Sequence, residues 1–107
     1  MPWSVEILND TVAAEIRSLP ADMHARFLHL AKRMEEAGLE ALREPHVKHL
    51  DGKLWEMRLN GREGIARALY VTATGQRVVV LRAFMKKTQK TPRPEIDLAL
   101  RRAEDIL

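Results

Sequence analysis

Arginines and lysines fall where apolar residues would be expected. Arg58 lies in Leu54-Trp55-Glu56-Met57-Arg58-Leu59, Arg67 between Ala66 and Ala68, and Arg82 between Leu81 and Ala83. A guanidinium inside an apolar strand is costly unless it reaches solvent, an anion or a carboxylate. Just beyond Phe84 the chain turns to Lys86, Lys87, Lys90 and Arg93, closed by Pro92 and Pro94. Strand parity puts Glu56 and Arg58 on one face. Three strand arginines and a lysine cluster are therefore candidates for one cationic surface that binds an anion. A plainer reading leaves each arginine as a solvated charge paired with Glu56 or Glu63.

The charge distribution favours the shared surface. Residues 1–42 carry a net −3, residues 43–94 a net +8, and residues 95–107 a net −2, within a total of +3. Excess positive charge in one segment suggests an anionic partner, most commonly nucleic acid. Other chemistries lack residues. Cysteine is absent, which excludes disulfides, thiolate metal sites and a thiol nucleophile. His46 and His49 stand three apart, and His24 and His29 five apart, without a carboxylate or cysteine at metal-ligand spacing, so no metal or other cofactor is expected. His46 or His49 could serve as a general acid. There is no glycine-rich phosphate loop and no nucleophile elbow.

With 107 residues and 46% hydrophobic content, the chain suits one globular domain. It has no stretch of membrane-spanning length and no signal-peptide pattern at Met1-Pro2-Trp3, so a soluble, cytoplasmic protein is expected.

The elements that must position these charges follow from periodicity. Trp3, Val5 and Ile7 alternate with polar residues as a short strand. Asn9 or Asp10 caps a helix from Thr11 to about Ser18, with Val12, Ile16 and Leu19 on one face. Pro20 starts a second helix, whose Met23, Phe27, Leu30 and Met34 form an apolar stripe and which Gly38 ends. Leu39 to Asp51 reads as a loop or the approach to a strand. Strands follow over Leu54–Leu59, Ile65–Thr72 and Gln76–Phe84, joined by turns at Asn60–Gly64 and Ala73–Gly75. Ile96, Ala99, Leu100, Ala103 and Leu107 make a final helical stripe. The order β-α-α-β-β-β-α gives an α+β domain with helices on one face of a small, mainly antiparallel sheet and the other face free for polar groups.

Several segments together resemble a known family. They are Lys48-x-Leu50, Gly52-x-Leu54-Trp55-Glu56-Met57-Arg58, Arg67-x-x-Tyr70, and Val79-Val80-Leu81-x-x-Phe84-x-Lys86-Lys87-Thr88-Gln89-Lys90-Thr91-Pro92, then Glu95-Ile96-x-x-Ala99. The chain resembles the phage Gp49-like and HigB-type branch of the RelE/ParE toxins of type II toxin–antitoxin modules. The resemblance is specific over Lys48 to Ala99 and follows the element order over residues 3–107. It implies a RelE-like fold, mRNA cleavage without metal, mostly on the ribosome, and neutralisation by a helix-turn-helix antitoxin encoded next door, with which the chain would form a hetero-oligomer.

Carried over by position, Arg58, Arg67 and Lys86 to Lys90 match the family's basic positions. Arg58, Arg67, Glu56 and Lys87 are the candidates for catalysis, and Lys48, Lys53, Arg82, Lys86, Lys90 and Arg93 those for RNA binding. Glu56 stands where better-known relatives carry lysine, so the proton acceptor is either Glu56 or a lysine of lowered pKa. Two alternatives share the fold: a ParE-like protein that binds DNA gyrase and cleaves nothing, and a non-catalytic phage-derived binding protein.

Overall fold

The computed structural model describes residues 2–86 and 89–106. The chain runs β1 (Ser4–Ile7), α1 (Asp10–Arg17), α2 (Ala21–Ala37), a 3₁₀ turn (Leu39–Ala41), β2 (Val47–Asp51), β3 (Leu54–Gly61), β4 (Gly64–Ala73), β5 (Arg77–Lys86) and α3 (Arg93–Ala103). The five strands form one sheet in the order β1-β5-β4-β3-β2. β1 runs parallel to β5, and the other pairings are antiparallel. Among the described residues no helix is long and apolar enough to cross a membrane.

Local chemistry sets the helix ends. The Asn9 side chain accepts a hydrogen bond from the Val12 N–H at 3.0 Å and caps α1. Pro20 precedes α2, and Gly38 closes it at φ 83°, a backbone conformation that glycine adopts without strain. Val12 and Ile16 of α1, with Met23, Phe27, Leu30 and Met34 of α2, pack on Met57, Leu59, Ala66, Ala68, Val78 and Val80.

The sheet corrects two expectations. Residues 47–51 are a fifth strand: Val47, Lys48 and His49 lie opposite Met57, Glu56 and Trp55. As an edge strand with mostly solvent-facing side chains, it lacks the apolar alternation that would reveal it. Nor are the helices confined to one face. Ala99 and Ala103 of α3 pack on Leu54, Leu69, Val71, Val79 and Leu81 on the side opposite α1 and α2. Val78 to Leu81 form an unbroken apolar run because cover on both faces buries every residue of it. α3 covers β4 and β5, so this face stays open toward β3 and β2. Leu107, expected in the last helical stripe, lies outside the described residues.

The β3–β4 hairpin is held against α2 by close contact. The Arg62 N–H donates to Asp22 Oδ2 at 2.8 Å. A Cβ on Gly61 would come within 2.7 Å of Met23 Cγ and 2.8 Å of Asp22 Oδ2. Gly61→Ala is therefore expected to push the hairpin off α2 and destabilise the fold by about 1–3 kcal/mol. A urea titration with an unchanged slope and a lower midpoint would register the loss.

Candidate active site

The β3–β4 register places Arg58 directly opposite Arg67. Two like charges across a pair of strands repel, and Glu56, two residues before Arg58 on the same face, relieves the repulsion. Its Oε2 receives Arg67 Nη1 in a close ion pair and lies 3.6 Å from Arg58 Nε. The Thr91 hydroxyl donates to the other oxygen, Oε1. Glu56 and Arg67 are 1% and 2% exposed, whereas Arg58 is half-buried and reaches the surface. Burial pulls the Arg67 pKa down; the Glu56 charge opposes this and the Arg58 charge adds to it. The Nε atoms of Arg58 and Arg67 are buried and have no hydrogen-bond acceptor among the described residues. The pair is thus held in place yet under-supplied with acceptors, which suits it to an incoming oxyanion.

Lys86 ends β5 beside this pair. Burial lowers its pKa first, and the charges of Arg67, Arg58 and Lys48 lower it further against the opposing effect of Glu56. Lys48 enters from the edge strand, opposite Glu56. Two adjoining cavities, of about 210 and 640 Å³, share Lys48, Arg58, Lys86, Gln89 and Lys90 as lining. Glu56, His49, Leu50 and Thr91 complete the smaller, and Arg67, Gly64 and Ile65 the larger. Together they form one cationic cleft on the part of the sheet that α3 leaves open.

Residues 14–104 match the family described as phage derived protein Gp49-like. The chain belongs to the Gp49-like family. Its fold is also that of a chain in the crystal structure of the archaeal RelE–RelB complex from Pyrococcus horikoshii OT3, at a TM-score of 0.57 and 26% identity over 78% of this chain and 93% of that one. The Gp49-like chain is thus a member of the RelE-like toxin superfamily. No curated protein matches it by sequence.

The Gp49-like chain brings Glu56, Arg58, Arg67, Lys48, Lys86 and Lys90 into one cleft. Lys87 lies outside the described residues. Three other cations expected there lie elsewhere. Lys53 is exposed in the β2–β3 turn and lines neither cavity. Arg93 joins Asp51 at 3.0 Å and Asp97 at 2.9 Å, tying the end of β2 to α3. Arg82 lies between α1 and α3. Its Nε and Nη2 donate to Glu95 at 2.7 and 3.1 Å, its Nη1 meets Glu15 at 3.1 Å, and its guanidinium lies 5.3 Å from the Phe84 ring centroid. By register Arg82, opposite Leu69, shares the face of Phe84 and Lys86, but α3 covers that part of the sheet and its Glu95 takes the guanidinium.

Arg82→Ala is expected to take from Glu95 its cation, while Glu15 keeps Arg102 at 3.0 Å, and to cost about 1–2 kcal/mol of stability. Chemical denaturation of the variant beside the parent measures it. Sequence reasoning missed Gln89 as part of the cleft and Thr91 as the second partner of Glu56. Thr91 stands out in the sequence only as a residue before a proline, and its bond spans 35 positions.

Proposed function

We propose that this Gp49-like chain is a toxin that stops translation by cutting mRNA on the ribosome and is neutralised by a helix-turn-helix antitoxin encoded beside it. The observation that carries the reading is the facing Arg58–Arg67 pair, fixed by one buried carboxylate and bordered by a lysine of lowered pKa. Membership of the RelE-like superfamily supports it, as does the fold shared with a RelE–RelB complex.

In the proposed reaction a ribose 2′-oxygen attacks the adjacent phosphorus. A new P–O2′ bond forms as the P–O5′ bond breaks, leaving a cyclic phosphate and a free 5′-hydroxyl. Neutral Lys86 takes the 2′ proton, and a protonated lysine of the cleft gives one to the departing 5′-oxygen. Arg58 and Arg67 donate to the non-bridging oxygens, where charge builds up in the transition state. Side-chain cations do the work that a metal performs in other nucleases. Glu56 has both oxygens engaged, by Arg67 and by Thr91. That favours positioning the arginines over accepting the proton, and so favours the lysine as base. Lys48 and Lys90 hold the flanking phosphates. Lys87 keeps its proposed part in the chemistry on sequence grounds.

The purified chain is tested in a cell-free translation reaction and, separately, with gyrase and supercoiled DNA. Protein synthesis is expected to stop with truncated mRNA, and supercoiling to continue. Arrested supercoiling with intact mRNA would instead identify a gyrase-directed protein.

A further inference from the structure

On the opposite face of the sheet from the cleft, a cavity of about 210 Å³ is lined by Leu39, Leu42, Val47, Trp55, Tyr70 and Thr72. Drug-sized ligands occupy roughly 300–1,000 Å³, so this notch takes about one ring system. Trp55 is 37% exposed although it is one of the largest apolar side chains. Tyr70 is 4% exposed and lines the notch beside Trp55.

One residue links this notch to the cationic cleft. β2 is an edge strand of the sheet. Consecutive side chains of a strand point to opposite faces, so Lys48 enters the cleft and His49 meets Trp55. The His49 and Trp55 rings meet edge to face, with centroids 5.3 Å apart and planes at 65°. His49 also lines the smaller cavity of the cleft. The imidazole therefore stands at the crossing from one face to the other, one strand wide. A single-stranded polynucleotide carries its phosphates and bases on different sides of the sugar chain. A strand crossing this edge would set a phosphate beside Lys48 and a base beside His49 and Trp55.

We propose that the Trp55–Tyr70 notch is a nucleobase pocket for the RNA held in the cleft. A base beyond the reacting phosphate turns over the β2 edge past His49, stacks on Trp55, and hydrogen-bonds the Tyr70 and Thr72 hydroxyls. Stacking accepts any base, and the hydroxyls read its edge, so the pocket sets base preference at one position. Continuity with the cationic cleft through Lys48 and His49 favours RNA over a protein side chain as occupant. The inference rests on the RNA reading of the cleft.

The test uses the whole chain with two probes: a short single-stranded 2′-O-methyl RNA, which cannot be cleaved by 2′-oxygen attack, and an abasic oligomer of equal length. Anisotropy of a labelled probe reports binding, and tryptophan fluorescence reports stacking. The RNA is expected to quench the fluorescence, and the abasic oligomer to bind without quenching. Trp55→Phe should remove most of the quench, and Trp55→Ala should weaken RNA binding about ten-fold, the scale of one lost base stack, without affecting the abasic oligomer. His49→Ala, at an exposed position, should give a similar but smaller loss and serves as the variant least able to disturb folding. RNA bound as tightly by both variants as by the parent, with unchanged fluorescence, would overturn the pocket while leaving the cleft intact. Failure of the parent to bind either probe would overturn the RNA reading itself and the pocket with it. Quenching by a partner protein but not by bound RNA would assign the notch to a protein side chain.

Discussion

Arg67→Ala is expected to lower mRNA cleavage by about 10²–10³, the usual cost of one lost charge-stabilising group. The same change is expected to lower stability, for a separate reason. Glu56 is 1% exposed and loses its closest cation, keeping Thr91 and the more distant Arg58. Breaking a buried pair from one side costs about 3–5 kcal/mol; the remaining partners place this case near about 3 kcal/mol, or roughly 12 °C or more in Tm. The two effects separate in a double variant. Arg67→Met with Glu56→Leu removes both charges, and an apolar replacement of a buried pair is often neutral. The double variant should recover most of the lost stability and none of the cleavage. Recovery of both would mean that the pair only holds the sheet together.

Lys86→Ala is expected to slow cleavage by about 10²–10⁴, the range of general acid–base catalysis, and to remove the pH dependence that identifies the base. Below its pKa, Lys86 is mostly protonated and the rate rises about ten-fold per pH unit as the neutral form grows. Burial and the charges of Arg67, Arg58 and Lys48 lower that pKa, so the rise should level off below the roughly 10.4 of a free lysine. Lys48→Ala removes one of those charges and should move the rising limb to higher pH. Stability follows the same group. A lysine with a lower pKa folded than unfolded destabilises the fold while protonated. That cost is fully present below the folded pKa and fades toward the unfolded value, so stability rises with pH across that window. Rates and denaturation midpoints measured over the same pH series check both signs.

The sequence made the centre of the site readable because the hairpin is short and regular. Glu56 and Arg58 share a face by a spacing of two, and the tight Gly61–Gly64 connection sets Arg67 opposite Arg58. Arg82 looked equivalent but is not. It shares the face of Lys86, but α3 covers that part of the sheet and Glu95 and Glu15 take its guanidinium, and nothing in the run Val79 to Ala83 signals that cover. The helices were legible from their stripes and caps. The face that α3 covers was not, although four successive buried residues from Val78 required cover on both sides. β2 escaped notice because an edge strand has little to bury. The Thr91–Glu56 bond joins segments far apart in sequence and only the folded chain shows it.

The central claim is that Arg58 and Arg67 act on RNA phosphate. Arg58→Ala is the cleaner probe, because Arg58 is half-buried and reaches the surface while Arg67 is enclosed. Purified parent and variant, matched for folded protein, are added to translating ribosomes and the mRNA ends are mapped. The parent should yield cyclic phosphate ends and free 5′-hydroxyls, and the variant the same ends about 10² more slowly. A variant that cuts at the parent's rate, or a parent that leaves the mRNA whole, would contradict the claim.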